Sequence, residues 1–224
     1  MKNQEVSVVN IYKQAWKYFK EVPQKLILLA VVYLIIAIIP NIATELVGDN
    51  VSQLFVINIV GMFISGILTL GLIDISFKVI KNKDFNITNL FNRTDLISKY
   101  IFAYSLYMIA VFFGVVMLII PGIIFSIRFS QWMYLVVDKK DISAIESLKM
   151  SWRITKGHTL DLIVFALFTI IIVFVGIIFT LGLGTIVLIP VSIIASNLFY
   201  QELINDYNRK QICNSVIEEV KVLD

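Results

Sequence analysis

The sequence predicts an all-α integral membrane protein with six transmembrane helices, arranged as three hairpins that are each preceded by a cytoplasmic amphipathic interfacial helix. Three observations carry this fold class: the composition, the spacing of the apolar stretches and the placement of positive charge. Of 224 residues, 58% are hydrophobic and 16% charged, and the mean hydropathy is +0.87. Folded in water, such a chain would expose far more apolar surface than a soluble domain tolerates. Its small basic excess, a net charge of +3, reports orientation in a membrane rather than affinity for nucleic acid.

Six apolar stretches follow one another, and a bilayer core about 30 Å thick needs roughly 20 helical residues to cross it. They cover Leu26–Leu46, Leu54–Ile80, Tyr100–Ile120, Gly122–Val137, Leu160–Leu181 and Thr185–Ile204. The third and fourth meet at Pro121-Gly122, where proline ends a helix and glycine accepts a sharp turn. The fifth and sixth meet at Gly182-Leu183-Gly184, read in the same way because the combined run overshoots a single span. The residues before the first stretch are mostly polar and amphipathic, and no small-x-small cleavage site follows it, so it is expected to be retained rather than removed as a signal peptide.

Charge placement supports the layout independently. Lysines and arginines collect before the first span, in 78–99, in 139–156 and in the C-terminal tail, with Arg128 as the one exception. The connections between spans one and two, three and four, and five and six hold no Lys or Arg, only Glu45 and Asp49. By the positive-inside rule both termini face the cytoplasm. The single cysteine, Cys213, makes no disulfide framework and no thiolate metal site.

The polar segments on the basic side are patterned. "SAIESLKMSWRITKG" (143–157) opens with Ser143 and Glu146 in capping-box spacing, aligns Ile145, Leu148 and Trp152 along one stripe, and ends at Gly157. The N-terminal segment repeats the design, with Val9, Tyr12, Trp16 and Phe19 on one face and Lys13, Lys17 and Lys20 largely off it. Aligning Trp16 with Trp152 superposes "AWKYFKEVPQKLI" on "SWRITKGHTLDLI", and "NLFNRTDLISKYI" (89–101) is a fainter third copy. The chain thus divides into a single membrane domain of three parallel units, 6–80, 84–138 and 141–206, followed by a polar tail, 207–224. Trp16, Lys17, Trp152, Arg153, Lys156, Lys139 and Lys140 are the expected interfacial or lipid-contact residues, with aromatic rings at headgroup depth and cations beside anionic lipid.

"IIPGIIFSIRFSQWMYLVVD" followed by "SAIESLKMSWRITKGHTLDLI" resembles the pattern of YciC-like bacterial inner-membrane proteins. It is similar also to the membrane domain attached to some glycerophosphodiester phosphodiesterases. Pro121, Gly122, Arg128, Asp138, Ser151, Thr155, Lys156 and Gly157 carry the likeness over about 40 residues, and the six-span layout extends it to nearly the whole chain. The phosphodiesterase domain and its catalytic acids have no counterpart here. The resemblance therefore implies a multi-span envelope protein with no assigned reaction.

Two charges fall well inside the spans, away from their ends: Asp74 and Arg128. At 1.5 Å per residue they lie about 9 Å and 14 Å from the inner edge, within reach of one long guanidinium. Three alternatives stand for Arg128: a buried pair with Asp74, a snorkel to outer-leaflet phosphates, or a place on a substrate or ion path. His158, the single histidine, reads as interfacial, because no motif supplies partners for a metal site or a catalytic triad. No P-loop, His-Glu-x-x-His or Cys-x-x-Cys occurs. The expectation is a non-enzymatic protein without cofactor or metal, whose partners are the phospholipid bilayer and other membrane proteins. The alternative is a small transporter or channel with Arg128 and Asp74 on a polar path.

Overall fold

Each apolar stretch becomes a helix, because hydrocarbon leaves backbone amides no partners outside their own segment. A computed structural model describes residues 7–48, 50–139 and 141–223. Among these residues the elements are α1 (Val8–Glu21), α2 (Pro23–Val47), α3 (Val51–Ile80), two short 3₁₀ segments (Ile87–Phe91 and Thr94–Leu96), α4 (Ile97–Met117), α5 (Ile119–Phe129), α6 (Trp132–Asp138), α7 (Ala144–Ile154), α8 (Thr159–Thr180) and α9 (Thr185–Leu223), with no strand. Six helical stretches are long and apolar enough to cross a bilayer: Pro23–Val47, Val51–Ile80, Ile87–Met117, Ile119–Asp138, Thr159–Thr180 and Thr185–Cys213.

Burial is concentrated at one end. In α3 it runs from Leu68 to Val79, in α2 it covers only Leu26, Leu29 and Ala30, and in α9 it runs from Val191 to Ile204. Trp132, Leu135 and Val136 of α6, which packs on α3, α4 and α7, are completely enclosed. The opposite end, around Leu46, Val51, Met117 to Ile120, and Phe179 to Leu183, exposes large apolar side chains almost fully. So wide an apolar surface requires a hydrocarbon solvent.

Several elements differ from the sequence expectation. The turn between α4 and α5 falls at Leu118, which is extended, and Pro121 lies in the first turn of α5, where its missing N–H breaks no helical bond. Gly122 is needed for contact rather than for the turn: a Cβ there would lie 2.4 Å from Val115 Cγ2 and 2.8 Å from Val115 N. The fourth span is not one helix, since α5 ends at Phe129 and α6 begins at Trp132. Ahead of α4 stand two 3₁₀ segments instead of an amphipathic helix, opened by Asn86 and Asn89, whose side chains bond each other's backbone in a capping box. The tail after Ile204 continues α9 to Leu223.

The faces of α1 and α7 are also rotated from the expected stripes. In α1 the buried residues are Val8, Ile11, Tyr12, Ala15 and Phe19, while Val9 and Trp16 face outward. This face packs on α8 and α9. Tyr12 donates from its hydroxyl to Thr169 Oγ1 of α8 at 2.7 Å, and its ring meets Phe165 and Phe168. Burial raises the Tyr12 hydroxyl pKa above its ordinary value. In α7 the buried set is Ala144, Ser147, Leu148, Ser151 and Ile154, and Ile145 is exposed. Its inner face thus mixes two serines with Ala144, Leu148 and Ile154, and of the expected stripe only Leu148 is fully buried.

Candidate functional site

The basic cleft is built on α3. A Cβ at Gly71 would lie 2.0 Å from the Leu90 carbonyl oxygen, so only glycine lets the 3₁₀ backbone rest against the helix here. That close approach carries Arg93 to Asp74, less than one helical turn further along α3. Asp74 is only 5% exposed, and both its oxygens are occupied. Arg93 donates to Oδ1 from Nη2 and, at 2.8 Å, from Nε, while Lys78 Nζ sits 3.1 Å from Oδ2. A carboxylate buried this deeply is stable only when its charge and lone pairs are matched in this way.

Asp74, Lys78, Lys81, Lys83, Arg93 and Asp138, with Phe77 and Val137, line a cleft of about 300 Å³. Asp138 is held by the Tyr200 hydroxyl, which donates at 2.8 Å, and Tyr200 packs edge-on against Phe77. Ser76 accepts from Asn197 at 2.6 Å, fastening α3 to α9 behind the cleft. Lys81 lies 5.5 Å from the Phe77 ring centroid. Neither Lys81 nor Lys83 makes an ion pair with a carboxylate among the described residues. Four cations therefore face two acids, and the cleft is electropositive. Next to it Lys25 reaches Asp84 at 2.5 Å, and the ammonium holds the Asp84 carboxyl below the usual carboxylate range.

Arg128 is not brought to Asp74. Its guanidinium carbon lies 3.8 Å from the Trp152 ring centroid, and Nη2 donates to the Trp152 carbonyl at 2.9 Å in the last turn of α7. Both contacts suit a cation: one uses the aromatic face, the other the negative end of a helix. The Arg128 backbone matters as well. Where α5 gives way to α6, the Arg128 carbonyl accepts from Ser151 Oγ at 2.9 Å and Thr155 Oγ1 at 3.1 Å, and Gln131 N–H donates to Ser151 Oγ at 3.2 Å. Two hydroxyls, from Ser151 of α7 and from Thr155 at its C-cap, thus replace helical bonds missing at the break.

Most of the remaining expected residues that the structure describes are surface groups. Trp16, Lys17, Arg153, Lys156 and Lys139 are exposed, Trp152 is half-buried under Arg128, and Lys140 lies outside the described residues. Trp16 stacks on Phe19 with Lys20 over its ring. His158, expected at the interface, is buried: Nδ1 is 2.9 Å from Asp161 Oδ2 and Nε2 is 3.0 Å from Asp206 Oδ2. Carboxylates only accept, so both contacts are hydrogen bonds together when both ring nitrogens carry protons. Lys210 closes the cluster, 2.5 Å from Asp206.

Arg93, the partner of Asp74, lies 19 residues along the chain from it, and nothing local in the sequence joins the two. Asp161, three residues after His158, was the one local signal for that cluster. No family model, curated protein or solved structure matches the chain.

Proposed function

We propose that this chain is a non-enzymatic multi-span protein of the bacterial inner membrane, related to the YciC-like proteins and acting as an accessory or protective factor through association with anionic lipid or with other membrane proteins. Both termini face the cytoplasm, the spans pair as three hairpins, and α1 and α7 lie at the inner surface. The observation that carries this reading is the segregation of charge. The electropositive cleft, which includes Arg93 between the 3₁₀ segments, and the cations of α1 and α7 gather where the helices are buried, and the turns at the opposite end hold no Lys or Arg.

Cations at that position meet the negative surface of a cytoplasmic leaflet, each contributing about 1 kcal/mol of attraction. The motif block supports a structural role for its residues, because Arg128, Ser151 and Thr155 bond to one another across the α5–α6 break. A transport path lined jointly by Asp74 and Arg128 draws no support from side chains that have separate partners.

Reconstitution tests the reading. In vesicles containing phosphatidylglycerol the protein should unfold at a higher temperature than in pure phosphatidylcholine, and small solutes should not leak faster than from empty vesicles. Equal unfolding temperatures in both lipids together with protein-dependent solute flux would replace this reading with transport.

A further inference from the structure

The electropositive cleft does not stand alone. A second cavity, of about 260 Å³, adjoins it and shares Lys83. A third, of about 420 Å³, shares Lys25 and Phe85 with the second and is walled by Leu28, Leu29 and Ile87. The series therefore runs from a cationic end, through a polar middle, to an apolar groove on the first turns of α2. That sequence of surfaces matches the order of groups in an amphiphile.

We propose that these linked cavities hold one anionic glycerophospholipid, with its phosphate among Lys78, Lys81, Lys83 and Arg93 and an acyl chain along Leu28, Leu29, Phe85 and Ile87. The cations suit a phosphate in two ways. Lys81 and Lys83 have no carboxylate partner among the described residues, and Lys78 and Arg93, though bonded to Asp74, keep N–H groups that Asp74 does not use. Asp74 positions those two side chains rather than cancelling the cleft, because four cations face two acids. The groove selects a lipid over a free phosphate. Leu28 is 51% exposed and Ile87 36% exposed, and an acyl chain covers both while its headgroup stays in the cleft.

The site rests on the lipid-association reading above, and it is narrower: one cleft, not the whole basic belt, sets the preference. The test uses the full chain purified in zwitterionic detergent and titrated with phosphatidylglycerol, with bound lipid counted by native mass spectrometry. Replacing Lys81→Gln and Lys83→Gln together should weaken retention about tenfold or more, whereas Lys149→Gln with Arg153→Gln, which removes the same charge from α7, should weaken it distinctly less, because a zwitterionic micelle presents no anionic surface for the wider basic belt to meet. All four side chains are exposed, so neither variant threatens the fold. Leu28→Ser with Ile87→Ser should also weaken retention, and sn-glycerol 3-phosphate should not displace the lipid.

Equal losses in the two charge variants, or full displacement by glycerol phosphate, would overturn the proposal. A preference for phosphatidylglycerol that survives the Lys81 and Lys83 changes overturns this site and leaves the lipid-association reading standing. Absence of any preference in the unaltered protein overturns both.

Discussion

The Ser151 hydroxyl donates to the Arg128 carbonyl at 2.9 Å and accepts from Gln131 N–H at 3.2 Å, so a side chain of α7 completes the backbone of the fourth span. Backbone groups at a helix break inside a membrane must find partners, and here a neighbouring helix supplies them. Ser151→Ala should therefore leave a buried amide unpaired and destabilise the protein by about 1–3 kcal/mol. Thr155→Val alone should cost less, because Ser151 still serves the Arg128 carbonyl. The double variant should exceed the sum, since the carbonyl then loses both donors. Denaturant titration of the purified protein measures all three.

Asp74 and its neighbours allow a second check. A double-mutant cycle between Asp74→Asn and Arg93→Gln should return a coupling of about 0.5–3 kcal/mol, as expected for groups in direct contact. The parallel cycle between Asp74→Asn and Arg128→Gln should be additive within about 0.5 kcal/mol. The reverse pattern would restore the intramembrane pair that the sequence suggested.

Gly71 controls whether Arg93 reaches Asp74 at all. Gly71→Ala places a methyl group 2.0 Å from the Leu90 carbonyl oxygen, a distance no rotamer relieves. The 3₁₀ segment must move away, so the Asp74–Arg93 coupling should collapse in this background. Gly176→Ala is a milder comparison, because its Cβ meets only the flexible Leu188 side chain.

His158 joins α8 to the inner part of α9 through Asp161 and Asp206. His158→Ala leaves two carboxylates without the ring between them, and only Lys210 remains beside Asp206. Amide hydrogen exchange around 203–210 should speed up in this variant relative to 190–198, where Val191, Ile194 and Ala195 keep the helix packed. Uniform exchange along α9 would contradict the latch.

Local pattern and tertiary contact divide what the sequence reveals. The six apolar stretches were legible because each is long enough to satisfy its own backbone, and the start of α7 was legible because its cap is local: Ser143 Oγ accepts from Glu146 N–H at 3.2 Å. The break at Ser130–Gln131 was hidden, since the hydroxyl that stabilises it arrives from twenty residues downstream. Arg93 was hidden for a similar reason, as Gly71 and Leu90 must touch before it faces Asp74. In α1 the expected stripe and the buried face overlap at Tyr12 and Phe19, while Val9 and Trp16 lie at the margin and face outward; the 3.6-residue period marks the apolar side of a helix but not where its contact with the bundle stops.

In the proposed topology the chain crosses the membrane six times with its cation-rich end inside the cell. Cys213, the single cysteine, lies on α9 beyond the buried segment and is partly exposed, which makes it a natural probe. A membrane-impermeant maleimide should label Cys213 in inverted inner-membrane vesicles and not in intact spheroplasts, while Leu183→Cys in a Cys213→Ser background should show the opposite. Labelling of Cys213 from outside the cell, or of residue 183 only from within, would contradict the topology and the lipid-facing role of the cleft with it.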